Sequence, residues 1–363
     1  MKMFKILIAV CLAFSAVASQ AQLAGKNVVL IQGFLPQHLL IHPADKGQAD
    51  GNNYWSSFDS SLKNPSTSKI LYYPSNYSLQ GANGIAALIA EQLDPILSSG
   101  HCDDGCVFIT HSTGDLVMRY VMANKYSLLG SELANRFNVF AFIDMAGAGG
   151  GTELANLGMD VINGVNFVPD VIETLLEWAG FNIELGLDPG VLYNLQPSVA
   201  RNTAVDNIPA IPKLRIAGTG SELYGFLTHP LIKGADDSVV PLHSACGAAS
   251  DNSYDSCTQN LRMDGRVTRV SNAPSSSQLY NYHYPLILSE SMPHNAMQAN
   301  KDGHGMTFAL SGESLYNNSG IKTIGVDVEY YEYYDVWDWF HKYRVISNAQ
   351  SKNMGQVILA SFE

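Results

Sequence analysis

A β-rich apolar run, Val107-Phe108-Ile109-Thr110, gives way within two residues to Ser112 and then Gly114. Beyond them, Leu116, Val117, Tyr120 and Val121 recur at helical spacing. A strand that turns sharply at a Ser into a helix leaves few folds open. The arrangement is that of a nucleophile elbow at the carboxyl end of a sheet strand. The turn lifts the Ser hydroxyl off the sheet and sets it at the positive end of the helix dipole, where N–H groups can hold an oxyanion. The usual pattern is G-x-S-x-G, and its first position here is Thr110.

The flanking chain alternates strands and helices. Lys26 to Ile31 is a short buried strand that ends in Gln32-Gly33-Phe34, a turn able to offer the Phe34 N–H to an oxyanion. The Thr113 N–H, just after the Ser, supplies the second donor. Strands follow at Lys69 to Pro74, Asn138 to Ile143 and Leu214 to Gly218, with His283 to Ser289 as the last strand of the core. Gly84 to Leu93 is an amphipathic helix that Asp94-Pro95 ends or kinks, and residues 41 to 68 are polar and read as loop. This alternation predicts an α/β fold with a mostly parallel central sheet covered by helices on both faces. Gly147 to Gly151 lacks the Lys-Ser/Thr ending of a phosphate loop and the spacing of a dinucleotide fingerprint, which leaves close backbone packing as its use.

A Ser nucleophile needs a base, and the base needs an acid. Asp237, in the loop Gly234-Ala235-Asp236-Asp237-Ser238-Val239-Val240, occupies the late position expected of the acid; Asp236 and Asp144 are its rivals. His294 lies in the loop after the last core strand, with His304 as the competing base. The chain order Ser112, Asp237, His294 is that of the α/β hydrolases. The other histidines form no metal-spaced pair. Met159 to Leu185 is apolar, with Pro169 placed to open a helix bearing Ile172, Leu175, Leu176 and Ala179 on one face. That helix is either core packing or a lid able to open onto a lipid–water interface.

The first 21 residues read as a cleaved secretory signal, with an apolar run from Ile6 to Val17 and cleavage after Ala18 or Ala21. This predicts export to the periplasm or medium. Removing Lys2 and Lys5 takes the formal charge from −12 to −14, which argues against nucleic-acid or anionic-membrane binding. No stable protein partner is implied. In an oxidising compartment the favoured pairings are the local ones, Cys102 with Cys106 and Cys246 with Cys257; a zinc site on His101, Cys102 and Cys106 is the runner-up. Residues 22 to 310 form the catalytic domain and 311 to 363 an aromatic-rich extension packed on it. Its run Glu329 to Phe340 is a polymer-binding strip or, more in keeping with such runs, a strand or hairpin.

Between Lys26 and Asn300 the chain resembles the secreted bacterial true lipases of the α/β-hydrolase superfamily. Gly33-Phe34, Tyr54-Trp55, His111-Ser112 with Arg119-Tyr120-Val121, Ala146 to Ala155, and Asp237 to Val240 with Ser244-Ala245 carry the likeness. The resemblance implies hydrolysis of triacylglycerols or other esters, and a helical lid at about residues 153 to 200. Three positions depart from the family. Gln32 replaces a His, Thr110 replaces a small residue, and Ala296 stands where the family has a calcium-ligand Asp, so no calcium site is carried over and no cofactor is implied. Polyester depolymerase, phospholipase, acyltransferase and non-catalytic binding protein are the alternatives on the same scaffold.

Overall fold

The computed structural model describes residues 23–59 (24 excepted), 62, 68–165, 188–203, 211–247 (212, 223, 224 and 226 excepted), 289, 292–299 and 352–359. It also describes the backbone at 226 and 360 and of strands at 256–258, 261–262, 283–288, 307–309, 315–316, 322–324, 328–335 and 338–346. The signal segment and residues 166–187, which hold the helix expected to open at Pro169, lie outside the described residues.

The sheet is built from β1 (Asn27–Ile31), β2 (Lys69–Leu71), β3 (Cys106–His111), β4 (Val139–Met145), β5 (Lys213–Gly218), β6 (His283–Ser289), β7 (Thr307–Ala309), β8 (Val328–Asp335) and β9 (Asp338–Ile346). Among the described residues these form one nine-stranded sheet in the order β8-β9-β7-β6-β5-β4-β3-β1-β2. Strands β2, β1, β3, β4, β5 and β6 run parallel. The strand order around β1 and β3, with the Ser turn at the end of β3, is the α/β-hydrolase architecture.

Every side chain of β3 is buried, as a parallel strand covered on both faces requires. Alternate residues enter opposite cores. Val29, Ile31 and Phe108 pack with helices α2 (Ile85–Ser98) and α3 (Thr113–Ala123) on one face. Val28, Leu30, Val107 and Ile109 pack on the other with Trp55 and Phe58 of α1 (Gln48–Asp59). Met354, Val357 and Ile358 of the C-terminal helix Met354–Ala360 join that second core.

Three expectations of secondary structure change. Residues 48–59 are helical although polar: Gly51, Trp55 and Phe58 fall on one side and are buried, and burial of two aromatic rings outweighs the poor helix propensity of Gly and Asn. Helix α2 runs through Pro95 to Ser98, because buried Ile96 and Leu97 hold its last turn on the core despite the lost N–H. β6 is not the last strand: β7 pairs antiparallel to it, and β8 and β9 form an antiparallel hairpin that continues the sheet through Val345 opposite Phe308. The aromatic run thus supplies sheet strands; its side chains lie outside the described residues.

Cys102 and Cys106 form the expected disulfide at the foot of β3, which removes both thiolates from the zinc alternative. The second expected bridge, Cys246 to Cys257, is not formed. Cys246 is a buried free thiol packed with Val240, Leu242 and Ala245 in the core, while the Cys257 side chain lies outside the described residues. Among the described residues, no helix is long and apolar enough to cross a membrane.

Candidate active site

Ser112 sits between β3 and α3 at φ 55° and ψ −125°, backbone angles that a residue with a Cβ rarely adopts. The surroundings hold it there. Its N–H donates to Met145 O at 3.0 Å, and its carbonyl accepts from Ala148 N at 2.9 Å, so the end of β4 pins both sides of the turn. The turn closes only because two neighbours lack a Cβ. A Cβ on Gly33 would lie 2.8 Å from the Ser112 Cβ, and one on Gly114 would lie 2.8 Å from Gln32 O.

Thr113 opens α3, so its N–H has no carbonyl four residues back in the helix to bond. Phe34 and Thr113 both line the cleft that Ser112 faces. Gln32, the first departure from the lipase pattern, is fully buried. It donates through Nε2 to Tyr73 O at 2.8 Å and accepts at its own carbonyl from the Tyr73 hydroxyl at 3.0 Å. These two bonds fasten the turn that carries Phe34 to the end of β2.

Of the three candidate carboxylates, Asp237 is the one that meets His294. His294 Nδ1 donates to Asp237 Oδ2 at 2.9 Å, and the His294 backbone N–H donates to Asp237 O at 3.0 Å. The other carboxylate oxygen accepts from Val239 N at 3.1 Å and Val240 N at 2.7 Å. Asp237 is fully buried. With the proton on Nδ1, the neutral imidazole carries its lone pair at Nε2. Ser112 and His294 are each 5% exposed, and both line the cleft.

Asp236 and Asp144, the other two candidate carboxylates, have different partners. Asp236 Oδ1 lies 2.5 Å from His229 Nδ1 and accepts from Ser238 N at 2.7 Å. Burial raises the Asp236 pKa to about 6 against the lowering by these bonds. Asp144 accepts from the Thr110 hydroxyl at 2.9 Å and pairs with Arg215 Nη1 at 2.8 Å. Arg215 Nη2 also meets Asp115 Oδ2 at 3.2 Å, and Lys213 Nζ meets Asp115 Oδ1 at 2.7 Å. Burial opposes ionisation of Asp115, but Lys213, Arg215 and Arg119 outweigh it and hold its pKa well below the usual carboxylate range. This buried ionic cluster joins α3 to β4 and β5, and nothing in the sequence pattern announces it. His304 lies outside the described residues.

Ser112 and His294 both line one cleft that is open to solvent. Phe34, Pro36, Leu192, Leu195, Val239 and Val240 make its walls largely apolar, while Ser112 and His294 stand among them as polar groups. Leu192 and Leu195 come from the segment just after the expected lid helix. Ala296 is buried in the sheet core beneath the His294 loop. No group of three or more His, Cys, Asp or Glu placed to hold a metal ion occurs among the described residues.

No family model matches the chain, and no curated protein matches it in sequence. Solved structures do resemble it. The mature form of a lipase from Bacillus licheniformis shares 14% identity over 76% of this chain and 86% of that one, at a TM-score of 0.40. Lipase 1 from Pelosinus fermentans shares 13% identity over 76% of this chain and 93% of that one, at 0.41. Phospholipase PlaB from Legionella pneumophila shares 16% identity over 61% of this chain and 45% of that one, at 0.39.

Proposed function

We propose that the protein is a serine ester hydrolase that cleaves acyl esters, lipids among them, through an acyl-enzyme on Ser112. The observation that carries this reading is the His294–Asp237 hydrogen bond at 2.9 Å in a cleft it shares with a Ser on a strained elbow.

In this mechanism Ser112 Oγ attacks the ester carbonyl carbon and passes its proton to His294 Nε2. Asp237 fixes the tautomer and balances the imidazolium charge. The backbone N–H groups of Phe34 and Thr113 hold the negative charge that develops on the carbonyl oxygen. Collapse of the tetrahedral intermediate breaks the carbon–oxygen bond, and His294 protonates the departing alcohol. Water, deprotonated by His294, then attacks the acyl-enzyme and frees the carboxylic acid and Ser112. The apolar cleft walls suit an acyl chain, which favours lipid-type esters over small polar ones. Export through the leader read in residues 1 to 21 belongs to the same proposal, as does a lid that opens at a lipid–water interface.

The test is hydrolysis of p-nitrophenyl esters of increasing chain length by the wild type, Ser112→Ala, Asp237→Asn and His294→Ala. Wild-type activity with near-complete loss in Ser112→Ala is the expected result. Activity in Ser112→Ala equal to the wild type would overturn the assignment.

A further inference from the structure

Asp237 orients His294, but both of its bonds come from one residue, so the acid and base loops could still drift together relative to the nucleophile. A separate series of contacts joins both the Gly33 turn and the His294 backbone to His111 at the end of β3. The Tyr54 hydroxyl packs against Gly33, where a Cβ would fall 2.5 Å from its oxygen. The Tyr54 hydroxyl lies 2.5 Å from His111 Nδ1, and His111 Nε2 lies 3.1 Å from the carbonyl oxygen of His294. The His111 and His294 rings are 4.6 Å apart between centroids.

The direction of each bond follows from chemistry. A carbonyl only accepts, so His111 Nε2 carries the proton. A neutral imidazole protonated there must accept at Nδ1, which makes Tyr54 the donor. The neutral form is the favoured one: burial first, then the nearby His294, hold the His111 pKa well below its ordinary value, against the bond to the His294 carbonyl. Tyr54 in turn is fixed on α1, where its ring meets Trp55 edge-on at 5.5 Å.

We propose that Tyr54 and His111 are positioning residues that tie the oxyanion turn at Gly33-Phe34 and the backbone of the base His294 to the strand that carries Ser112. His111 is the residue before the nucleophile. Its ring bond to His294 therefore sets the base against the very strand that holds the Ser, and its bond to Tyr54 sets the oxyanion donors against the same reference. The inference rests on the ester-hydrolase reading above. Misplacing a reacting group by about 1 Å can cost on the order of 100-fold in rate, so such a tether acts on turnover and not on binding.

The experiment compares Tyr54→Phe, His111→Phe and His111→Gln with the wild type and Ser112→Ala. It measures kcat and KM on p-nitrophenyl butyrate, the rate of Ser112 labelling by a fluorophosphonate, and Tm. Tyr54→Phe and His111→Phe are expected to lose about 10- to 100-fold in kcat and labelling rate, with KM changed by less than about twofold. His111→Gln, whose amide can still donate to the His294 carbonyl, is expected to recover much of the His111→Phe loss. A kcat in Tyr54→Phe within about twofold of the wild type overturns the proposal, as does His111→Gln no more active than His111→Phe. Tyr54→Phe removes a single oxygen atom, so it decides alone if His111→Phe fails to fold. Full activity in Ser112→Ala would instead sink the underlying reading, so the two failures are distinguishable.

Discussion

The Thr110 hydroxyl donates to Asp144 Oδ1 at 2.9 Å, from the position where the elbow pattern usually has Gly. The departure in the motif is thus the partner of a buried carboxyl, which also meets Arg215 at 2.8 Å. Burial first, and then the negative charge of Asp115, push the Asp144 pKa up to about 7. An unfolded Asp titrates near about 3.9. Between about pH 4 and pH 7 the folded chain therefore holds a proton that the unfolded chain lacks, and stability falls as pH rises through that window. Urea unfolding of Asp144→Asn should show a flatter pH dependence there than the wild type. An unchanged slope would count against this role. Thr110→Val should cost about 1 kcal/mol at neutral pH, with the elbow intact.

Asp236 and Asp237 are neighbours with different partners. Asp237→Asn should lower kcat by roughly 10³- to 10⁴-fold, because the imidazole loses its tautomer control. Asp236→Asn acts through His229 and should cost less than about 10-fold. Steady-state kinetics on one p-nitrophenyl ester decide the matter, and equal losses would contradict the assignment.

The Gly114 position allows α3 to start directly against β1. A Cβ there would meet Gln32 O at 2.8 Å and Ile31 O at 3.0 Å, and both are backbone atoms that cannot move alone. Gly114→Ala should therefore destabilise the fold by about 1–3 kcal/mol, read as a lower Tm. Activity should fall as well, because the same shift displaces the Thr113 N–H. An alanine variant as stable as the wild type would show that β1 can yield.

The Cys102–Cys106 bridge closes a loop whose cysteines are 4 residues apart, at the end of β3 opposite Ser112. So short a loop gains only about 2 kcal/mol on loop-closure grounds. The double variant Cys102→Ala/Cys106→Ala should lose about that much stability with kcat unchanged. Denaturant midpoints and ester kinetics on the same preparation test both halves, and a large fall in kcat would tie the bridge to the site.

Much of this site was legible in one dimension because its elements are local. The Ser turn, the Gly33-Phe34 turn and the loops that carry Asp237 and His294 each announce themselves within a few residues, through a change in periodicity or a Gly at a turn. Helix α1 was not legible. Its polar residues read as loop, and only the pocket that receives Trp55 and Phe58 makes it a helix. The aromatic run gave no sign that it would extend the central sheet, since strand pairing across Val345 and Phe308 depends on a distant edge.

Determined by the sequence alone were the alternation of strands and helices, the sharp turn at Ser112 between a strand and a helix, and the order in which Asp237 and His294 follow it. These follow from hydrophobic period and turn chemistry, which act between near neighbours. The tertiary structure alone decided that Asp237 and not Asp236 meets His294. It also decided that Thr110 serves Asp144, that Cys246 stays a free thiol, and that His111 and Tyr54 bridge two loops. Each of these is a contact between residues far apart in the chain. Which of two adjacent carboxylates points at a given imidazole is set by backbone direction in the folded loop, and spacing along the chain carries no record of it.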